Sequence, residues 1–256
     1  MTKFALWCTS TTEPVGSHEL TVMIADPSKT KLAVKVISAA IPLEYTSEAR
    51  LANLLKNLGK AKTAKFIETS LPTTKSVRSG DLGEILGVAY LNEFTKFNLQ
   101  VKRLRWKDHR NMAMRGEDIL AFAVAPGTGK LSILKGEAKS RNALNTATVK
   151  AARKSLAANK GRPSAHALSF LATRYFEMGD AIMTNLLDRA QLNERVEPSQ
   201  VTHLIFTLSA NNPTMMLRTD LANYNGSIDQ LSVGLRVEKH QEFIKSVFEK
   251  ANVNVL

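Results

Sequence analysis

Residues 118–137 constrain this chain more than any other stretch, because they dictate a β-hairpin together with its register. Asp118-Ile-Leu-Ala-Phe-Ala-Val124 is an apolar run of strand length without a breaker. Pro126-Gly-Thr-Gly129 supplies turn chemistry, with glycines free to take positive φ, and Lys130 to Glu137 reads as the returning strand. A turn centred between Gly127 and Thr128 makes paired positions sum to 255, so Asp118 stands opposite Glu137. Directly opposed Cα atoms lie about 4.5–5.5 Å apart. Glu137 and Lys139 are two apart and project from one face of their strand.

Two opposed carboxylates repel unless a cation compensates them. Mg²⁺ takes hard oxygen ligands and often uses only one or two carboxylates beside substrate phosphate. Asp118 and Glu137, with the Ala138 carbonyl, are therefore the expected metal ligands. Lys139 is placed to orient or deprotonate a water, or to stabilise charge developing on a phosphorane, while the metal polarises the phosphoryl oxygen. Upstream, Gly80-Asp81-Leu82-Gly83-Glu84 opens a helical pattern through Ile85, Leu86 and Ala89 and adds a further acid, Glu84. Taken singly, each patch has a plainer role. Asp81 and Glu84 have the spacing of a capping box. Arg115-Gly116-Glu117-Asp118 suits an ordinary turn, and Glu137 with Lys139 suits a surface ion pair. Their conjunction in this order and register favours phosphodiester chemistry.

The charge distribution agrees. The formal net charge is +12, and Gln100 to Arg162 holds 15 Lys/Arg against 4 Asp/Glu, a net of +11. No acid occurs from Ala138 to Phe176. That footprint suits a phosphate backbone. Arg141 and, on a predicted helix over 142–159, Lys150, Arg153 and Lys154 at i, i+3 and i+4 are the expected nucleic-acid contacts. His18, His109, His166, His203 and His240 are scattered without zinc-ligand spacing. Pro126-Gly-Thr-Gly-Lys130 is no phosphate-binding loop, since Val124 and Leu131 stand where that motif needs Gly and Ser/Thr.

At 256 residues and 44% hydrophobic, the chain can bury a substantial core. One cysteine, Cys8, precludes an intrachain disulfide, no apolar run has membrane-spanning length, and the expected compartment is the cytoplasm. Residues 1–75 read as an N-terminal α+β section. In it, strands at Leu20–Ala25 and Lys31–Ile37 flank a turn at Asp26-Pro27-Ser28, and a helix runs from Thr46 or Ser47 to Gly59. A polar connection over 60–79 follows. Residues 76–256 read as a second unit: a helix whose start carries Glu84, a strand over 99–106, the hairpin and the basic helix. Two helices divided near Gly179 come next, then strands at 201–208 and near 231–237, and a final helix over 238–251.

The order helix-Glu, strand, Asp-strand, Glu-x-Lys-strand, helix, strand resembles the PD-(D/E)xK nuclease superfamily. Glu84, Asp118, Glu137 and Lys139 match its catalytic positions, with Gly116-Glu117-Asp118 in place of the eponymous Pro-Asp. The resemblance implies an α/β fold with a restriction-endonuclease-like αβββαβ core on a mixed sheet, here with an N-terminal α+β section and a C-terminal helical extension. It also implies Mg²⁺, with Mn²⁺ as substitute. Gly83-Glu84, Arg115-Gly116-Glu117-Asp118 and Gly136-Glu137-Ala138-Lys139 further resemble the HamA family, effector nucleases of Hachiman antiphage defence. That resemblance implies a bacterial DNA nuclease restrained by a HamB-like superfamily 2 helicase until aberrant or phage DNA is engaged. Residues 1–75 and the tail after Asn212 are then the expected partner contacts. The alternative is a non-catalytic nucleic-acid-binding subunit on a nuclease-like fold, distinguished by DNA binding without cleavage at any metal concentration.

Overall fold

The computed structural model describes residues 2–114 and 116–253; Arg115, the first residue of the Arg115–Asp118 patch, lies outside them. A mixed six-stranded sheet organises the fold. Its strands are β1 (Cys8–Val15), β2 (His18–Ala25), β3 (Ile119–Val124), β4 (Leu131–Arg141), β5 (Val201–Ser209) and β6 (Asp229–Arg236), in the order β1-β2-β6-β5-β4-β3. β2, β6, β5 and β4 run parallel, and the edge strands β1 and β3 are antiparallel to their neighbours. Central β5 is buried at nearly every position, as expected of a strand covered on both faces. The hairpin has the expected register: Ile119 pairs with Gly136 and Val124 with Leu131, so positions sum to 255 throughout.

Eight α-helices cover the sheet among the described residues. α1 (Thr30–Tyr45), α3 (Lys75–Phe94) and α8 (His240–Val253) pack together, and α3 lies on β4. α4 (Thr146–Ala157) and α7 (Thr214–Ala222) take the opposite face, where Val149, Ala152, Leu156, Leu217 and Leu221 meet Leu20 and Ile205. α5 (Ala165–Glu177) and α6 (Ala181–Leu192) form a helical hairpin turning at Gly179, with Tyr175 edge-on to Phe122. α2 (Glu48–Ser70) starts after Ser47. Ser47, Asn145, Ser164 and Asp180 each accept the N–H three residues on, which defines the starts of α2, α4, α5 and α6.

Four expectations change. Lys31–Ile37 is part of α1, not a strand; Ala33, Val34, Ile37, Ser38, Ile41 and Tyr45 are buried at helical spacing. Leu99–Trp106 forms no strand: a single bridge joins Asn98 to Phe122, and Arg103–Trp106 closes a 3-10 turn. The three consecutive core strands are thus two strands and one bridge, and β1 and β2 complete the sheet. The helix broken at Gly59 (φ +73) resumes and runs to Ser70, so much of the expected polar connection is helical. Finally, α3 begins at Lys75, which puts Asp81 and Glu84 in mid-helix and excludes a capping box there.

The approach of α3 to the sheet is built from small residues. A Cβ on Gly83 would lie 3.4 Å from Ser140 Cβ, and one on Gly87 only 2.6 Å from Ile119 Cδ1. Ser140 Oγ accepts from Ser79 at 2.8 Å and lies 2.9 Å from His240 Nε2, pinning α3 and α8 to β4. His240 and, across the sheet, His203 are buried. His203 is bonded to the Gly161 carbonyl and Gln230. Burial pushes both imidazoles down to about 4. Their folded values lie below the unfolded one, so the stability they contribute is complete above about pH 6.5 and lost as pH falls toward 4. Urea titrations should show the unfolding free energy falling over that window by on the order of 3 kcal/mol per histidine. Replacing both should flatten the profile.

Candidate active site

The site forms where β3 ends and β4 continues. Extending the register by one step sets Asp118 opposite Glu137, and the Ala138 N–H donates to Asp118 Oδ2 at 2.9 Å. Lys139 Nζ donates to Glu137 Oε1, with both side chains mostly buried. α3 brings Glu84 to the same place, one residue beyond the Gly83 contact with β4. All three acids feel the crowding. Burial, then the Asp118 charge, pushes the Glu84 carboxyl up to about 8. Burial raises Asp118 against the opposing pull of the Ala138 N–H and Lys139. Glu137 is raised by burial and then by Asp118. The structure therefore brings Glu84, Asp118, Glu137 and Lys139 together.

The neighbouring acid Glu117 points elsewhere. Its carboxylate accepts the Ser164 N–H at 2.7 Å and hydroxyl at 3.0 Å, at the start of α5. That leaves Asp118 as the acid of the pair that faces Glu137. Residues not anticipated from the sequence complete the surroundings. Arg103 Nη1 donates to the Asp118 carbonyl at 2.8 Å and to the Glu117 carbonyl. Beneath Glu84, one turn earlier on α3, buried Asp81 accepts from Tyr45 Oη at 2.5 Å and from Lys107 Nζ at 2.7 and 2.9 Å. The one sequence signal for Arg103 and Lys107 is a run of cations, Lys102-Arg-Leu-Arg-Trp-Lys107, with no acid within it. Among these described residues the acids Asp81, Glu84, Asp118 and Glu137 face the cations Arg103, Lys107 and Lys139, so only full ionisation of all four acids, Glu84 included, would leave one negative charge uncompensated.

On the other face, buried Lys135 donates to the carbonyls of Leu156, Ala158 and Arg162 at 3.2, 2.9 and 3.0 Å. This clamps the end of α4, where Asn159, Lys160 and Gly161 all take left-handed φ. Arg141 is exposed at the end of β4. Lys150 and Lys154 are exposed on α4, whereas Arg153 between them is half-buried. Arg153 donates to Asp220 and Gln230, and its guanidinium sits 5.1 Å from the Tyr224 ring. The basic trio is thus two exposed ammonium groups flanking one compensated guanidinium. Burial, then the Glu93 charge, pushes the Cys8 thiol up to about 12, which disfavours a thiolate there. No helix among the described residues is long and apolar enough to cross a membrane.

Comparison with known proteins identifies the family. The Hachiman protein HamA of Bacillus cereus is 25% identical over 236 residues, covering 90% of this chain and 83% of that protein. A profile of the HamA family matches residues 2–251. The match spans nearly the whole sequence, the site strands and α3 included, and the chain belongs to the HamA family.

Proposed function

We propose that this chain is a metal-dependent deoxyribonuclease of PD-(D/E)xK type, acting as the effector of a Hachiman antiphage system. The observation that carries the reading is the opposition of Asp118 and Glu137, both raised by burial, with Lys139 against Glu137. Among the described residues no three His, Cys, Asp or Glu side chains form a ready-made metal cage. The fitting donor set is Asp118, Glu137 and the Ala138 carbonyl. Strand geometry turns that carbonyl to the same side as the Ala138 N–H, toward the place where β3 has stopped. These are hard oxygen donors, suited to Mg²⁺ or Mn²⁺. A cation held there supplies Lewis-acid polarisation of the phosphoryl oxygen and a more acidic bound water.

The chain's own groups do the remainder. Lys139 presents its ammonium beside Glu137, where it orients a water and meets charge on the phosphorane. Glu84, neutral at pH 7 in the protein alone, offers a proton donor or a further oxygen at the Asp118 edge. Arg141, Lys150 and Lys154 supply phosphate contacts, with Arg153 contributing less because Asp220 compensates it. DNA as substrate and a HamB-like helicase as restraining partner complete the proposal; membership in the HamA family and likeness to a Hachiman protein support the defence role.

Asp118→Asn should abolish cleavage while leaving the thermal transition intact, since the amide keeps an oxygen for the Ala138 N–H. Activity surviving that change with wild-type metal dependence sinks the ligand assignment. Lys150→Glu with Lys154→Glu should weaken DNA binding across all sequences and lower the salt slope by about 1 for each phosphate no longer neutralised. A sequence-selective loss in filter binding would contradict the phosphate role.

A further inference from the structure

We propose that Arg103 is a positioning residue for Asp118, itself held in place by the carboxyl end of α1. The functional part of this inference rests on the nuclease reading above, and the positional part stands on geometry. Asp118 and Glu117 are the residues at which β3 leaves its ladder with β4, beyond the Ile119–Gly136 pair. Backbone carbonyls at such a point need other partners. Arg103 supplies them, with Nη1 donating to the Asp118 carbonyl at 2.8 Å and to the Glu117 carbonyl. Gly116, at φ +93, lets the chain turn beside the guanidinium; a Cβ there would lie 3.8 Å from Arg103 Nη2. Fixing the Asp118 backbone fixes the direction of its carboxylate, which accepts the Ala138 N–H.

The segment bearing Arg103 is tied down on both sides of it. Lys102 Nζ pairs with Glu44 at 2.6 Å. Arg105 donates from Nε and Nη2 to the Leu43 carbonyl at 3.1 and 2.8 Å. Lys107 binds Asp81, which in turn accepts from Tyr45. Leu43, Glu44 and Tyr45 are the last three residues of α1, where a helix terminus favours cations. A displacement of the α1 terminus is therefore transmitted through residues 102–107 to Asp118. No sequence motif marks this connection, which joins the N-terminal part of the chain to the site.

The test uses the full chain with Arg103→Met and Arg103→Lys. Three quantities are measured: amide exchange at Ala138, Mn²⁺ binding by calorimetry, and cleavage resolved into kcat and KM. With Arg103→Met, the Ala138 amide should exchange about 10-fold faster. Mn²⁺ affinity and kcat should each fall on the order of 10–100-fold, as for loss of a group that orients a ligand, with KM for DNA nearly unchanged. Arg103→Lys, which keeps charge and donors, should restore most of both. Lys102→Met, which loosens the segment from α1 without touching Arg103, should give the same pattern more weakly and serves if Arg103→Met fails to fold. Wild-type exchange and Mn²⁺ affinity in Arg103→Met would overturn the proposal, as would a rise in KM with kcat unchanged. If the wild-type chain binds no Mn²⁺ and cuts no DNA even with the helicase partner added, the nuclease reading falls, and the Ala138 exchange rate alone decides the positioning role.

Discussion

Glu137→Ala should reduce DNA cleavage by on the order of 10³-fold, the upper end of what losing one preorganised electrostatic group costs. It should do so without destabilising the protein. Glu137 is held against Asp118, whose charge raises its pKa, so removing it relieves repulsion at a mostly buried site. What it gives up is the mostly buried Lys139 pair, but Lys139 keeps some solvent access, so the freed ammonium can turn toward water and the loss stays small beside that relief. Large loss of activity with equal or higher resistance to urea is the signature of a residue retained for function at the expense of stability. A variant that loses activity and several kcal/mol together would instead mark Glu137 as structural.

The opposite pattern is expected at Asp81. Its carboxylate meets the Lys107 ammonium and the Tyr45 hydroxyl with almost no solvent access. Asp81→Ala strands a buried cation and a buried hydroxyl, and breaking a buried pair from one side costs about 3–5 kcal/mol. Chemical denaturation should register most of that range. Removing both charges with Asp81→Leu and Lys107→Met should recover much of the loss, because the penalty belongs to the orphaned partner. An additive double variant would show that the two residues do not act as a pair. Asp81 lies one turn before Glu84 on α3, so the single variant should also lower activity by letting α3 shift on β4.

These two residues also show how far the sequence could be read. The Asp118–Glu137 opposition was legible because strand period and turn length leave one register for a short hairpin, and the pairing of Val124 with Leu131 confirms that register. The helical hairpin that follows the basic helix was legible from the break at Gly179. Asp81 was not, because its spacing to Glu84 imitates a helix start, and only the position of Lys75 reveals that the helix is already under way. Residues 99–106 mix apolar with polar and basic side chains, in near alternation broken at Lys102-Arg103, like a strand. Their cations are instead consumed by Glu44, the Leu43 carbonyl and the Asp118 carbonyl, none of them near in sequence. Lys31–Ile37 has β-branched content, yet its burial follows helical spacing once α8 and the sheet are present. β1 was invisible because an exposed edge strand of Thr and Ser carries no apolar alternation. Long-range electrostatics and edge pairing are the parts that sequence pattern does not encode locally.

If Asp118, Glu137 and Lys139 form a metal-dependent DNA-cutting site, cleavage must depend on both the metal and these side chains. The most direct measurement incubates the purified chain and its Glu137→Ala/Lys139→Ala variant with plasmid and linear DNA. Mg²⁺ or Mn²⁺ is supplied with and without EDTA, and the helicase partner is added in a parallel set. Cutting by the wild-type chain should require metal, be abolished by EDTA, and be absent from the variant throughout. Cutting that persists in the variant or in EDTA, or no cutting by the wild type even with the helicase engaged on DNA, would contradict that assignment.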